Sequence, residues 1–407
     1  MLKKYWQYIL LAFLVVLFWY PVTQNNDFFM DDWGYINPIQ EGRVDFGYFF
    51  TPLNEHFVPM TKAVFCLMFG IFGLNIVPYI WLLIFVHAIN TGLFFYLCRL
   101  NFPSAKWLPL ALAVFFLSNS AYYEVIHMIS NFSMASSLMF LQISLIFLHL
   151  YVQNGNKKLL WISLVSSFFI PMNFSLGLVG IVFIAMYYFL VLRQARIRIL
   201  AFYVVPWLSF LTLWLIFVYP TAIAAKTGMA ANYANVLPNI LSGFGGFLFK
   251  SLGIGILMQP FNIWVAGFLL FNLIVFGFLL LLYFILNPKN GRGRIVHDRG
   301  IAWFSFLGAL ISYGAIAVAR TDLPSSVFLD WGRYQFFSVF FLTIFMGNLI
   351  LPLILAFSSL FNKDRLKYYF LFLFVLYLLG QFMTIRVKAE SPVRTEGLIP
   401  NQIEIPV

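Results

Sequence analysis

The chain has 407 residues, of which 62% are hydrophobic, 20% are aromatic and only 10% are charged. Soluble domains carry about 25% charged residues, so this composition excludes an ordinary soluble protein and predicts an all-α polytopic membrane protein. The net charge of +11 comes from short basic clusters between apolar runs, which is typical of membrane loops and not of a nucleic-acid-binding surface. Cys66 and Cys98 lie in apolar runs, so neither a disulfide framework nor a cysteine metal site is indicated.

About eleven apolar runs are predicted to cross the bilayer as helices. The first run follows Met1-Leu2-Lys3-Lys4 and lacks a small-residue cleavage signal, so it is predicted to be an uncleaved span. One run is short, and Pro171-Met172-Asn173 at its end indicates either a tight turn or a break within one long element. The predicted spans are Tyr5–Val22, Val77–Cys98, Trp107–Val125, Phe132–Val152, Leu159–Met172, Ser175–Leu192, Ile199–Tyr219, Asn262–Leu286, Ile301–Ala319, Phe336–Phe357 and Lys367–Ile385.

Two further apolar runs, Phe57–Asn75 and Ile240–Met258, contain Lys62 and Lys250 and several glycines. We interpret both as juxtamembrane or re-entrant helices. With the N-terminus in the cytoplasm, most of the 25 Lys and Arg residues then fall in cytoplasmic loops, as expected for an inner-membrane protein. The predicted organisation is one transmembrane domain over residues 1–385, which includes a first outer loop at 23–76. A short outer tail follows at 386–407, and no separate soluble domain is expected.

An acidic stretch follows the first span directly, reading Asp27-Phe-Phe-Met-Asp31-Asp32-Trp-Gly-Tyr35. A carboxylate pair this close to a bilayer is costly to desolvate, which favours a functional role for Asp31 and Asp32. The alternative without a functional role is a solvated pair that caps the helix beginning near Trp33. Asp27 is expected to be only a solvated residue on the approach to the site.

The predicted outer face also collects polar residues from later segments. Carboxylates there can act as a general base or hold a divalent metal ion, and arginines bind phosphate through paired hydrogen bonds. Such a set suits an anionic lipid head group and a neutral acceptor. The bland alternatives are snorkelling arginines, a carboxylate at a polar interface and a histidine satisfied by backbone. The residues are His56, Glu124, Arg320, Arg333 and Tyr334.

This layout resembles that of a known enzyme family. After the first span come the acidic pair, a tyrosine three residues on, a His56-x-x-Pro59 helix that ends in Phe72-Gly73, and later Arg333-Tyr334. The pattern is similar to the GT-C integral-membrane glycosyltransferases, and most similar to the protein O-mannosyltransferase and aminoarabinose-transferase branch. The resemblance covers most of the chain in layout, although its motifs are short. Many members carry a soluble domain after the last span, and here a short tail is expected instead.

The resemblance implies an enzyme that moves a hexosyl or pentosyl group from a polyprenyl-phosphate donor to a glycan, lipid or protein acceptor at the non-cytoplasmic face. It implies inverting transfer in the cell envelope, in contact with membrane lipid and without nucleic acid. Asp31 would be the catalytic carboxylate, and Asp32 would support it or share a divalent metal ion. His56 and Glu124 would line the acceptor side. The donor phosphate would be bound by Arg320, Arg333 and Tyr334.

Three other functions are compatible with a multi-span protein of this kind. A transporter or flippase of lipid-linked sugars would show internal repeats and charges in the middle of spans, and the sequence shows neither clearly. A polymerase of lipid-linked sugars would place arginines in a large late outer loop, whereas the loop from Arg320 to Gln335 is short. A non-enzymatic membrane scaffold is the third alternative. The sequence leaves the sugar, the acceptor and any need for a metal open.

Overall fold

The computed structural model describes residues 2–24, 26–29, 31–53, 56–220, 233–252, 299–321, 323–330, 332–360 and 363–390. Within these ranges the regular structure is helical, apart from one isolated antiparallel bridge between Leu53 and His56, so the all-α class is confirmed. The α-helices are α1 (Leu2–Trp19), α2 (Asp32–Gln40), α3 (Phe46–Phe50), α4 (Pro59–Phe72), α5 (Ile76–Asn101), α6 (Leu108–Ser118), α7 (Tyr123–His127), α8 (Phe132–Asn154), α9 (Lys157–Phe169), α10 (Gly180–Met186), α11 (Ile197–Phe217), α12 (Val236–Leu252), α13 (Arg299–Ala319), α14 (Ser325–Asp330), α15 (Phe336–Leu360) and α16 (Lys363–Glu390).

Six helices in the described part of the chain are long and apolar enough to cross a membrane, or seven if a bent pair counts as one span. The predicted total of about eleven therefore stays a prediction. The predicted span Asn262–Leu286 lies outside the described residues. The membrane-length helices are Tyr5–Thr23, Ile76–Asn101, Ile129–Asn154, Ile197–Phe217, Arg299–Ala319 and Leu371–Glu390.

Several helix ends follow directly from local sequence. The side chain of Asn75 accepts a hydrogen bond from the Val77 amide (3.2 Å) and so caps the start of α5. Helix α8 ends at Gly155, whose φ of +68° lies in the left-handed region that glycine adopts without strain. The next residue, Asn156, caps α9 by accepting from the Lys158 amide (3.0 Å). These caps make α8 and α9 a closely packed hairpin.

The fifth predicted span ends earlier than predicted, and the sixth is not a single α-helix. Helix α9 ends at Phe169, and a turn over residues 170–173 follows it, so Pro171 marks a tight turn. A Cβ on Gly177 would lie 2.6 Å from the Ile170 carbonyl, which explains why glycine is needed where the chain folds back over this turn. The predicted span Ser175–Leu192 consists of a 3₁₀ helix, α10 and a π-helical turn in succession.

The third predicted span, Trp107–Val125, is not one continuous helix. Helix α6 ends at Ser118, and the chain continues through a 3₁₀ turn into α7 with a bend of 41°. Asn119 is extended (φ −64°, ψ 120°), and its side chain accepts from the Ala121 amide (3.0 Å). Asparagine favours such local bonds to backbone over a helix interior, so it causes the break.

The break leaves backbone groups without hydrogen-bond partners inside the helix, and side chains from other helices bond to them. The Leu117 carbonyl accepts a hydrogen bond from the indole N–H of Trp19 (2.8 Å), and a ring nitrogen of His87 lies 3.2 Å from the same carbonyl oxygen. The Ser120 amide donates to the side-chain oxygen of Gln381 (2.8 Å). A helix can be interrupted in an apolar environment only when its freed backbone groups find such partners. The break is therefore a stable feature that α1, α5 and α16 hold in place.

Lys62 lies in α4, which spans about 21 Å at its 14 residues and is short for a bilayer core of about 30 Å. Its ammonium is buried and donates to the carbonyls of Tyr48 (2.6 Å) and Thr51 (2.5 Å) at the end of α3. Burial lowers the pKa of Lys62 to about 8. Lys62 therefore caps the C-terminus of α3 and fixes it against α4.

Replacing Lys62 with Met keeps most of the side-chain volume and removes the donor for both carbonyls. We expect the Lys62→Met variant to be less stable by about 1–3 kcal/mol, the usual cost of buried acceptors left unsatisfied. Thermal unfolding in detergent measures this. The exposed Lys106 offers a matched control as Lys106→Met. Equal melting temperatures for the two variants would contradict the capping role.

Candidate functional site

The two adjacent carboxylates of the acidic stretch have different surroundings. Asp32, the first residue of α2, is fully buried, and its two oxygens accept hydrogen bonds from the Phe29 amide (3.0 Å) and the Ser130 amide (2.7 Å). Asp31 precedes the helix, makes no capping bond with its side chain and is 44% exposed. Asp32 therefore joins the first loop to the α7–α8 junction, 98 residues away, and Asp31 faces outward from that joint.

Burial raises the pKa of Asp32 to about 6, and the amide donors of Phe29 and Ser130 oppose that rise. The carboxyl group is thus mostly ionised at neutral pH, which both amide donors require. Hydrogen bonds to an ionised acceptor are stronger than neutral ones, so the joint is well suited to hold the backbone on either side of Asp31. The predicted role of Asp32 as a support for a catalytic Asp31 stays a prediction.

Arg333 lies beside Asp31. The guanidinium nitrogen Nη1 is 3.8 Å from Oδ2 of Asp31, and the arginine side chain is 16% exposed. The guanidinium also lies over the Tyr334 ring, 5.3 Å from its centroid, and that ring stacks on Phe328 with centroids 5.2 Å apart. Tyr334 thus acts as a support for Arg333 through a cation–π contact.

Glu124 reaches the same place from the broken third span. It lies in α7, and its Oε2 accepts a hydrogen bond from the Arg333 amide (3.3 Å). Its backbone carbonyl accepts from the side chain of Asn131 (2.9 Å). Asp31, Glu124 and Arg333 therefore form one contact cluster, which we call the Asp31–Glu124–Arg333 cluster, built from three segments far apart in the sequence.

His56 and Arg320 have other neighbours. Nδ1 of His56 lies 2.9 Å from the hydroxyl of Ser175, and the imidazole packs on Phe174 with centroids 4.7 Å apart. These contacts place His56 beside the start of the 3₁₀ helix Ser175–Val179. Arg320 follows the last residue of α13 and is half-buried, and its carbonyl accepts from the Leu323 amide (3.2 Å). The acceptor-side and phosphate-binding roles of these two residues stay predictions.

Asp31 and Asp32, the predicted shared metal ligands, have different partners in the structure. Both oxygens of Asp32 accept amide hydrogen bonds, and the nearest described cation to Asp31 is the guanidinium of Arg333, which would repel a metal ion. In the part of the chain that the structure describes, no group of three or more His, Cys, Asp or Glu residues is arranged to hold a metal. The metal dependence inferred from the resemblance stays an untested prediction.

Sequence reasoning named the members of the cluster but did not find the hydrogen bonds that hold it together. The Ser130 amide and the Asn131 side chain bond to Asp32 and to the Glu124 carbonyl. Asn26 adds a further bond from its side chain to the His127 carbonyl (3.2 Å). A backbone amide carries no sequence signal, so only the folded chain reveals these partners.

No protein-family model matches this chain, and a search of curated proteins finds no match.

The different roles of the adjacent carboxylates can be tested with isosteric amides. In Asp32→Asn, one amide N–H of the protein must face the new side-chain NH₂, so a buried donor is left without an acceptor. We expect a loss of stability of about 1–3 kcal/mol, seen as a lower melting temperature in detergent. Asp31→Asn is the matched control and should melt close to the wild-type temperature. An unchanged melting temperature for Asp32→Asn would contradict the structural role of Asp32.

Proposed function

We propose that the protein is a membrane glycosyltransferase that moves a hexosyl or pentosyl group from a polyprenyl-phosphate donor to an acceptor hydroxyl. The single observation that carries the proposal is the contact cluster of two carboxylates and one arginine. Residues of these types can activate an acceptor and receive a departing phosphate in one place. We propose further that the cluster lies at the non-cytoplasmic face of the inner membrane, in a multi-pass fold of the GT-C type, as the charge pattern and the resemblance favour.

Asp31 is the proposed general base. An acceptor hydroxyl transfers its proton to the Asp31 carboxylate while its oxygen bonds to the anomeric carbon of the donor sugar. The bond between that carbon and the phosphate oxygen breaks, and its electron pair leaves with the polyprenyl phosphate. Attack from the face opposite the leaving group inverts the anomeric centre. The 44% exposure of Asp31 gives an incoming hydroxyl access to the carboxylate.

Arg333 is the proposed contact for the departing phosphate. Charge accumulates on the phosphate oxygens as the bond breaks, and a fixed guanidinium stabilises that charge. The separation of 3.8 Å from Asp31 exceeds the roughly 2.7–2.9 Å of a charge-assisted hydrogen bond. A donor phosphate can therefore take over the guanidinium and leave the Asp31 carboxylate ready to accept a proton. Donor binding would in this way activate the base.

Glu124 is proposed to position the acceptor and the arginine together. Its Oε2 accepts the Arg333 amide hydrogen, and within the described part of the chain this is the hydrogen bond to its carboxylate. Oε1 is then available to orient an acceptor hydroxyl toward Asp31. The Glu124 side chain would thus connect the Arg333 backbone to the acceptor hydroxyl.

Asp31→Asn tests the proposed base directly. The amide cannot accept the proton, so we expect sugar transfer to fall by at least about 100-fold, the lower range for general base catalysis. Transfer from a radiolabelled polyprenyl-phosphate sugar in membranes measures this. Asp27 is exposed, and its carboxylate accepts from the Phe28 amide (2.7 Å) in its own loop, so Asp27→Asn is the matched control. Full activity of Asp31→Asn would rule out Asp31 as the base.

Arg333→Lys keeps the charge and removes the planar pair of donors. We expect a rise in the donor KM of about tenfold or more, since hydrogen bonds to charged groups contribute about 1.5–3 kcal/mol. The same steady-state assay with varied donor concentration gives the result. Arg320→Lys, measured in parallel, tests the other predicted phosphate contact. An unchanged donor KM in Arg333→Lys would contradict phosphate binding at this residue.

A further inference from the structure

Helix α16 brings a second cation, Lys388, into contact with α7, the helix that carries Glu124. The predicted last span stops at Ile385, whereas the helix continues to Glu390 and carries Lys388 in its final turn. The hydroxyl of Tyr123 donates to the Lys388 carbonyl (2.9 Å), which docks the end of α16 on α7. The ammonium of Lys388 lies over the Tyr123 ring, 5.5 Å from its centroid. Tyr123 directly precedes Glu124 in α7, so Lys388 contacts the residue next to a member of the cluster.

Lys388 has no carboxylate partner among the described residues, whereas its neighbour Arg386 has one. Arg386, on the same turn of α16, is exposed and pairs with Glu390 at 2.7 Å. The Glu390 carboxylate is therefore already paired with Arg386. Lys388 is half-buried, and no carboxylate oxygen of the described residues lies within ion-pairing distance of its ammonium. A half-buried ammonium with no carboxylate beside it among the described residues is available to bind an anion.

The position of this cation indicates which anion. Arg333 contacts Glu124 through its backbone amide, and Lys388 contacts Tyr123 through its ammonium and its carbonyl, so Arg333 and Lys388 contact consecutive residues of α7. The Tyr123 ring also stacks on the His127 ring, with centroids 5.4 Å apart. Tyr123 is therefore held rigidly and fixes Lys388 beside α7. An anion with several oxygens suits two such cations better than a single carboxylate does.

We propose that Lys388 is a second phosphate-binding residue, which completes an anion site with Arg333. This inference rests on the proposed function and assigns to α16 a direct part in binding the phosphate of the donor or product. A lipid phosphate and free inorganic phosphate share this chemistry. The docking of the site on the end of a membrane-length helix places it where a lipid-linked phosphate would present its head group.

Binding of a fluorescent polyprenyl monophosphate to the purified full-length protein in detergent tests the proposal. We expect Lys388→Met to weaken binding by about tenfold or more, and Lys388→Arg to restore most of the affinity. Arg386→Gln removes a cation from the same helical turn and is the matched control, which should bind as the wild type does. Lys388→Gln gives a second neutral variant if Lys388→Met does not fold, as judged by its melting curve.

The outcomes separate the inference from the proposed function. Normal binding in both neutral Lys388 variants, together with weak binding in Arg333→Gln, overturns the role of Lys388 and leaves the proposed function standing. Normal binding in the Arg333 and Lys388 variants alike overturns both. Competition by inorganic phosphate identifies the source of the anion. Displacement only at concentrations far above those of the lipid supports a lipid-linked phosphate, and equal potency overturns the lipid part of the proposal.

Discussion

The break in the third predicted span is the constraint on which the rest of the site depends. Asn119 ends α6 in an extended conformation, and the exposed backbone groups around it are bonded by Trp19, His87 and Gln381. These partners come from the first, second and last membrane-length helices. Because unsatisfied backbone is so costly in an apolar environment, the break fixes those helices relative to one another. It also turns Glu124 toward Arg333.

The acidic pair shows how two neighbouring residues of one type come to have different roles. The backbone at the start of α2 turns Asp32 inward, where two amide hydrogens stabilise its charge. Asp31, one residue earlier, stays partly exposed beside a guanidinium. The buried residue contributes rigidity, and the exposed residue is the proposed base. A catalytic carboxylate needs both, because a base held loosely would seldom meet its substrate in the right geometry.

Charges in the cluster are arranged around one arginine. The side chain of Arg333 faces Asp31, its amide bonds to Glu124, and the stack of Tyr334 on Phe328 supports its guanidinium. Interactions among such partly buried charges are stronger than in water. Small movements of the arginine therefore change its interaction energy with both carboxylates. In the proposed function, exchange of the Asp31 contact for a phosphate is the way in which this arrangement responds to a bound donor.

The sequence alone determined the helical membrane class, because long apolar runs have few other stable arrangements. It also singled out Asp31, Glu124 and Arg333, because charged residues are rare beside apolar helices. It assigned different roles to Asp31 and Asp32 only through a resemblance, and it could not foresee the break at Asn119 or bring Lys388 to α7. Those features depend on hydrogen bonds and ring contacts between segments about 100 or more residues apart, such as Asp32 to Ser130 and Tyr123 to Lys388. Only the tertiary structure decides such contacts, because local sequence fixes the hydrogen-bonding capacity of a group but not the partner that reaches it.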